Sequence, residues 1–256
     1  MTGMFKAVQI DNLLILRSSL IESFGGLRHA FSTRIGGVSP APWDCLNLGL
    51  DTGDSRENVA KNRALFTAIL NATPAQLACG QQVHGNTIAL VEYPGLYPAS
   101  DGLITRKKNI VLAIKTADCV PLLLFDPMQK IIAIIHCGWR SVRGNIISNA
   151  AEMLTNVHST KISSVYCAIG PSIRSCCYEI HADVAGQFSE EFIIRRDGRL
   201  FLDLIEVIKS RLLAAGVPEQ NIDLSDHCTC CEKELFFSYR RDGRRSGRMM
   251  LAAMIE

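Results

Sequence analysis

A chain of 256 residues with 48% hydrophobic and 20% charged residues has the composition of an ordinary globular protein. The net charge of +2 does not indicate nucleic-acid binding, because the basic run at residues 240–248 (RRDGRRSGR) is typical of a solvated loop. The longest apolar runs are too short to span a membrane and the first residues lack a signal-peptide pattern, so we expect a soluble, cytoplasmic protein without nucleic-acid or membrane partners.

The predicted elements alternate between helices and strands, with no repeat or low-complexity linker that would divide the chain. A single domain over residues 1–256 is therefore expected. In chain order the patterns predict a helix over 54–70, strands over 110–115, 121–125 and 131–136, a helix over 144–157, a strand over 162–169, helices over 181–192 and 202–215, and strands over 235–240 and 249–255.

The first predicted helix has the clearest signals. Asp54 and Glu57 fit an Asp-x-x-Glu variant of the capping box. The apolar stripe of this helix consists of Val59, Phe66, Ile69 and Leu70. Arg63 lies on the same stripe, where its guanidinium either finds a buried partner or extends past its neighbours to solvent.

The strands over 121–125 and 131–136 form a predicted hairpin. Residues 126–129 (DPMQ) are too few for a helical crossover, so the pair must be antiparallel and any sheet containing parallel strands must be mixed, which favours an α+β fold. With these residues as the loop, Cys119 faces His136 on one side of the sheet, at a Cβ separation of about 4.5–5.5 Å. A thiolate and an imidazole at that distance could bind one ion, although a shift of one residue would place them on opposite faces.

A catalytic zinc ion needs a third protein ligand. His84 is the best candidate, because Gly85 after it would let the backbone approach a ligand. The same residues fit two other interpretations. Cys119 and His136 could be a buried thiol and a strand-end imidazole, or they could be the nucleophile and base of a Cys-His hydrolase.

The segment after His136 suits an anion. Gly138 is expected to turn the chain, and residues 138–144 lead into a helix that brings Arg140 and Arg143 beside its N-terminus. Free N–H groups and guanidinium groups favour phosphate, although arginines are also common in surface loops without a ligand.

The chain has ten cysteines, which in a protein without export signals are expected to be reduced. Cys176 with Cys177, and the group Cys228, Cys230 and Cys231, do not fit the usual pairs of C-x2-C motifs. We interpret them as buried thiols, with a structural zinc site in a metal-binding or interaction module as the alternative.

Several separated motifs resemble a known family. They are QVHG (82–85), TADCVPLLL (116–124), HCGWR (136–140), GPSIRSCCYEI (170–180) and FFSYRRDGRRSGRM (236–249), preceded by TRIGGVS (33–39), LNLG (46–49), GD (53–54) and NR (62–63). Over residues 28–249 the chain resembles the YfiH/laccase-domain family of purine nucleoside phosphorylases.

The resemblance implies a single-domain α/β/β/α sandwich with mixed sheets and a zinc ion held by His84, Cys119 and His136. It also implies phosphorolysis of adenosine, inosine, guanosine or methylthioadenosine, and deamination of adenosine, by a monomer or small homo-oligomer. Asn47, Arg63 and Arg140 are the candidate contacts for nucleoside and phosphate.

Two departures and two alternatives accompany this resemblance. Cys137 stands where the family usually has alanine and Ser141 where it usually has glycine, and both could affect substrate preference. Bacterial members are also linked to editing of peptidoglycan precursors, which Cys119 could serve. Copper is disfavoured as the cofactor, because a multicopper oxidase needs more imidazoles than the six histidines present.

Overall fold

The structure is a computed structural model that describes residues 5–256. For His158 it describes the backbone alone. The strands are β1 (Phe5–Ile10), β2 (Leu13–Ser18), β3 (Leu27–Ser32), β4 (Leu77–Gly80), β5 (Ile88–Leu90), β6 (Gly95–Tyr97), β7 (Gly102–Thr105), β8 (Val111–Thr116), β9 (Val120–Asp126), β10 (Ile131–Cys137), β11 (Tyr166–Ile169), β12 (Glu179–Ile180), β13 (Ile193–Arg196), β14 (Arg199–Leu202), β15 (Ile222–Leu224) and β16 (Met249–Ile255). The helices are α1 (Ser19–Glu22), α2 (Arg56–Ala68), α3 (Trp139–Arg143), α4 (Ile146–His158), α5 (Ala182–Ala185), α6 (Leu204–Ala214) and α7 (Tyr239–Asp242). Across residues 5–256, no helix is both long and apolar enough to cross a membrane.

Two large sheets dominate the fold. One has seven strands in the order β1-β2-β3-β16-β8-β4-β6, and the other has six in the order β15-β11-β9-β10-β7-β5. Both are mixed, since β4 runs parallel to β6 and β8 in the first sheet, while β5 and β15 run parallel to β7 and β11 in the second. A small third sheet has the order β12-β14-β13.

The apolar residues form successive layers because strand side chains alternate between the two faces of each sheet. Ile132 and Ile134 of β10 lie in the layer between the two large sheets, while Ile131, Ala133 and Ile135 face the helices on the other side. Helices α4 and α6 cover the outer face of the six-stranded sheet, and α2 packs on the seven-stranded sheet. The predicted α+β fold with an α/β/β/α layer order is thus confirmed.

The β9–β10 hairpin is antiparallel as predicted, but its register is shifted. The turn is residues 127–130, and His136 pairs with Pro121 rather than with Cys119. Asp126 remains in the strand because its carboxylate accepts hydrogen bonds from two N–H groups of the turn. The predicted pairing was therefore wrong by two positions, an even shift that keeps both side chains on the same face.

Helix α2 confirms the first predicted helix but not its cap. Ser55 is the N-cap, and its hydroxyl accepts a hydrogen bond from the N–H of Asn58. The capping box predicted for Asp54 and Glu57 is wrong, because the Asp54 carboxylate is occupied by a buried network described below. The four apolar residues of the predicted stripe are buried, and Arg63 on the same stripe is half-buried.

Three other predictions were wrong in type or length. The strand predicted over 162–169 is limited to β11, which follows a 3-10 turn at 162–164. Residues 235–240 are not a strand. Leu235 makes one backbone bond to Arg34, and Ser238 then caps α7, because its hydroxyl accepts the N–H of Arg241. The helix predicted over 181–192 is limited to α5, followed by an irregular segment with a 3-10 turn at 190–192.

Candidate metal centre and its cavity

The three predicted metal ligands come together at one end of the sheets. His84 lies in the loop after β4, Cys119 in the turn between β8 and β9, and His136 near the end of β10. Their ligand atoms all lie within 4.8 Å of one another, and the two imidazole centroids are 4.8 Å apart. Two imidazoles and one thiol in this arrangement can bind a single ion and leave a fourth position open.

Asp101, a residue outside the motifs of the sequence, organises both histidines. This fully buried carboxylate lies 2.7 Å from His136 Nδ1, through its Oδ1 atom, and accepts the backbone N–H groups of Val83, His84 and Gly85. The loop that carries His84 is thus fastened to the carboxylate that orients His136. A carboxylate bonded to one ring nitrogen leaves the other free for a metal, and Asp101 stood out in no motif.

The electrostatics favour a thiolate in this cluster. Burial acts to raise the pKa of the Cys119 thiol, but the charge of His136 and hydrogen bonds with His136 and His84 lower it to about 6. Burial likewise acts to lower the pKa of His136, yet the charge of Cys119 and the hydrogen bond to Asp101 raise it to about 9. A thiolate is the form of cysteine that binds metals and the form that attacks as a nucleophile.

Gly138 is required by close approach rather than by a turn. It is the single residue between β10 and α3, where the chain changes direction as expected, but its φ of −77° and ψ of 161° are angles that any residue adopts. A Cβ atom there would lie 2.7 Å from His84 Nδ1 and 3.4 Å from Cys119 Sγ. At Gly85, by contrast, a Cβ would meet its nearest protein atom at an ordinary 3.5 Å, so no protein contact requires glycine there, and the approach of this backbone to a ligand stays a prediction.

The ligands open into a cavity of about 580 Å³. Four cationic side chains line it: Lys115, Arg140, Arg240 and Arg248. Burial and neighbouring positive charges lower the pKa of Lys115. The basic run at residues 240–248, interpreted as a solvated loop, therefore contributes two arginines to the cavity. Trp139, Tyr178 and Tyr239 add aromatic surface, so the cavity suits a flat ring attached to an anion.

The two arginines after His136 occupy different positions. The predicted helix is α4, which begins at Ile146, so Arg143 lies just before its N-terminus as expected. Arg140 lies farther from it, in the first turn of the short helix α3, which the sequence did not predict. The Arg140 guanidinium stacks 4.4 Å from the Trp139 ring centroid and lines the cavity. Arg143 is not among the lining residues.

Asn47 and Arg63 lie behind the cavity wall. The fully buried Asn47 amide donates to Thr52 and Asp54 and accepts the N–H of Arg248, so it joins two segments that carry lining residues. Arg63 donates to the Leu48 carbonyl oxygen through two nitrogens and is not among the lining residues. Their roles as substrate contacts stay predictions.

The two departures from the family motifs differ in setting. Cys137 is buried in the layer beneath the helices, where burial raises the pKa of its thiol, so it is a packing residue. The Ser141 hydroxyl is fully buried on α3 and has no hydrogen-bond partner.

The separated cysteine groups also meet. The sulfur atoms of Cys176, Cys177, Cys228 and Cys231 lie within 4.8 Å of one another. Cys176 and Cys231 are exposed, so the interpretation as buried thiols was wrong for both. It overlooked that Cys228 and Cys231 are themselves a C-x2-C pair.

A sandwich of mixed sheets with two imidazoles and a thiol in the wall of a cationic cavity defines a class of candidate single-metal enzymes. Within this class, the chain belongs to the family described as multi-copper polyphenol oxidoreductase laccase, whose model matches residues 28–256. The resemblance seen in the motifs is thereby confirmed.

Relatives of the chain carry enzyme names. A purine nucleoside phosphorylase of Deinococcus radiodurans is 39% identical over 86% of each chain, and purine nucleoside phosphorylase YlmD of Geobacillus stearothermophilus is 35% identical over 89% of each. The solved structure of this YlmD covers 99% of each chain with a TM-score of 0.92 at 32% identity. The adenosine deaminase RL5, from an unknown prokaryotic organism, is 32% identical over 86% of this chain and 90% of its own length.

Proposed function

We propose that this protein is a zinc-dependent purine nucleoside phosphorylase that also deaminates adenosine. The observation that carries the proposal is the convergence of His84, Cys119 and His136 in the wall of a cavity that cationic and aromatic side chains also line. The names of the relatives support the same chemistry.

The donor set fits zinc. Imidazole nitrogen and thiolate sulfur are ligands that zinc prefers, and three protein ligands with an open position are typical of its catalytic sites. The Asp101 carboxylate at His136 Nδ1 directs the other ring nitrogen toward the cluster, and the lowered pKa of Cys119 favours a thiolate. Zinc bound there would supply Lewis-acid polarisation. Copper clusters of multicopper oxidases need more imidazoles than this group of ligands contains.

The side chains that line the cavity would bind both substrates of phosphorolysis. Phosphate needs positive charge and hydrogen-bond donors, which Arg140, Arg240 and Arg248 provide. The purine ring fits beside Trp139 and Tyr178. A phosphate oxygen then bonds to the sugar carbon as the glycosidic bond breaks, and the base leaves with the bonding electron pair and takes up a proton. Holding both reactants supplies orientation, which lowers the barrier.

The test is the conversion of purine nucleosides by purified, zinc-loaded protein. With phosphate present, adenosine or inosine should give free base and ribose phosphate, and adenosine alone should give inosine, as resolved by chromatography. Alanine at His84, Cys119 or His136 should abolish both reactions, while His181→Gln, at an exposed position that does not line the cavity, should not. If the loaded protein forms neither free base nor inosine from any purine nucleoside, the proposal fails.

A second candidate is a Cys-His hydrolase, favoured by one observation. Asp101, His136 and Cys119 stand in the order of a catalytic triad, with the carboxylate on the imidazole and the imidazole hydrogen-bonded to the thiol. Metal content separates the two functions. Activity in zinc-free protein that is lost on alkylation of Cys119 would favour the hydrolase, whereas activity that follows zinc content would favour the phosphorylase.

A further inference from the structure

A second cluster of thiols lies outside the candidate metal centre. Cys176 and Cys177 follow β11 in a loop, and Cys228 and Cys231 belong to the loop that follows β15. The sulfur of Cys176 lies 3.8 Å from that of Cys177, 3.6 Å from that of Cys228 and 3.6 Å from that of Cys231, and the sulfurs of Cys177 and Cys231 are 3.3 Å apart.

These separations match a tetrahedral ion. A zinc–sulfur bond of about 2.3 Å places the sulfurs of a regular tetrahedron about 3.8 Å apart. The four sulfurs come from two segments that are distant in the sequence, and they lie close to the corners of one coordination tetrahedron. We propose that Cys176, Cys177, Cys228 and Cys231 bind a structural zinc ion, separate from the ion proposed at His84, Cys119 and His136.

In the absence of a cation, the surroundings raise the pKa of Cys176 and Cys177 and lower that of Cys228. Burial acts to raise the pKa of Cys228, but hydrogen bonds from the backbone N–H groups of Arg174, Cys231 and Cys230 lower it. For Cys176, burial and hydrogen bonds with neighbouring thiols raise the pKa to about 11. Without a cation such thiols keep their protons, so zinc binding forms four Zn–S bonds as the four S–H bonds release their protons to solvent.

Positive charge surrounds the two ligand segments. The guanidinium of Arg196 donates to the Cys176 carbonyl oxygen, and that of Arg241 donates to the carbonyl oxygens of Thr229 and Cys230. A zinc ion with four thiolates has a net charge of about −2, and neighbouring guanidinium groups offset that charge.

The proposed ion would fasten one wall of the cavity. Ile173 and Tyr178 flank the first ligand pair and line the cavity, as does Arg240, whose guanidinium donates to the Cys177 carbonyl oxygen. Thr229 lies between Cys228 and Cys231 in the sequence, and its hydroxyl donates to the carboxylate of Asp118, the residue next to Cys119. The ion would therefore hold the segments that shape the substrate site without touching substrate.

Zinc content tests the proposal apart from the function. In a Cys119→Ala/His136→Ala background, which removes the first centre, purified protein should retain about one zinc ion per chain by elemental analysis. Adding Cys176→Ser and Cys231→Ser should remove that ion. Adding Cys230→Ser instead should not, because this neighbouring side chain is outside the cluster. Equal zinc content with and without Cys176 and Cys231 would overturn the proposal, whatever the protein's activity.

A second measurement uses the unaltered chain, in case the serine variants fail to fold. Cys176 and Cys231 are exposed and would react at once with a thiol reagent if they were free. In zinc-loaded protein they should be protected until a chelator is added, and thermal unfolding should then occur at a lower temperature. Immediate labelling of both thiols in the loaded protein, or a disulfide between cluster cysteines found by non-reducing peptide mapping, would contradict a bound ion.

Discussion

Asp101 is the residue on which the geometry of the candidate metal centre depends most. Its two carboxylate oxygens accept three backbone N–H groups of the His84 loop, and one of them also meets His136 Nδ1. An amide in its place would keep one acceptor oxygen but put an NH2 group against N–H donors. The His84 loop and the His136 ring would then both lose their orientation.

We therefore expect Asp101→Asn to lower metal affinity by roughly 10–100-fold, the range found for partners of metal ligands. Competition with a chelator measures this directly, and activity should fall in parallel. Asp126→Asn is the matched control, since Asp126 is also buried but accepts only N–H groups of the β9–β10 turn. Unchanged metal affinity in Asp101→Asn would show that the loop is held by other contacts.

Single substitutions can also show which of two candidate residues, Arg140 or Arg63, contacts phosphate. Arg140 lines the cavity, whereas both bonding nitrogens of Arg63 are occupied by the Leu48 carbonyl oxygen. Arg140→Gln should raise the KM for phosphate about tenfold or more, since a hydrogen bond to a charged group contributes ~1.5 kcal/mol or more.

Arg63→Gln is the counterpart of that experiment. It should lower the free energy of unfolding, because a partly buried carbonyl loses its donors, and it should leave the KM for phosphate near that of the unaltered protein. Steady-state kinetics with varied phosphate, together with urea unfolding, measures both quantities. A raised KM in Arg63→Gln and none in Arg140→Gln would assign the anion contact to Arg63.

At the scale of single elements, β2 and β3 are joined by a histidine that must stay neutral. His29 Nε2 accepts the N–H of Ser18 at 2.9 Å, and burial, with the charge of Arg17, lowers the pKa of His29 from 6.5 to about 3. At a pH between about 3 and 6.5, the unfolded chain binds a proton at His29 that the folded chain does not bind. The stability due to neutral His29 is thus fully present above pH 6.5 and is lost as pH falls toward 3.

His29→Gln removes this titration. Between pH 6.5 and pH 5, its free energy of unfolding should fall less steeply than that of the unaltered protein, by up to about 1.4 kcal/mol per pH unit. Urea unfolding over this range measures the slope, and acid release of bound metal affects both proteins alike. His181→Gln at an exposed position should leave the slope unchanged. Parallel slopes for His29→Gln and the unaltered protein would mean that His29 is protonated in the fold.

Elements with strong local signals were predictable from the sequence, whereas those set by distant contacts were not. The apolar runs of β9, β10 and β16 predict buried strands correctly. The predicted hairpin also placed Cys119 near His136, because its register was wrong by an even number of residues and both side chains stay on the same face of the sheet. Residues 235–240 have the composition of a strand, but the chain is irregular up to Ser238, whose cap starts the short helix α7 at Tyr239. The role of Asp101 could not be predicted from the sequence, because three of its hydrogen-bond partners lie more than fifteen residues away along the chain.

At the scale of the whole molecule, strand β10 contributes side chains to two layers of the sandwich. This strand lies inside the six-stranded sheet, and its consecutive residues face different layers. Ile134 lies between the two large sheets, and Ile135 lies beneath the helices. Because one strand belongs to both layers, neither layer can lose its packing without disturbing the other.

The expected single domain over residues 1–256 can be tested through these two residues. Each is fully buried, so Ile134→Ala and Ile135→Ala should each cost about 2–5 kcal/mol. If the layers unfold together, calorimetry should show one transition that both variants shift downward, by about 2–4 °C per kcal/mol in a domain of this size. Ile194→Ala, at a residue that is 40% exposed, should shift it little. Two transitions, each lowered by only one variant, would divide the chain into separate cooperative units, because a strand shared by both layers would then not couple them.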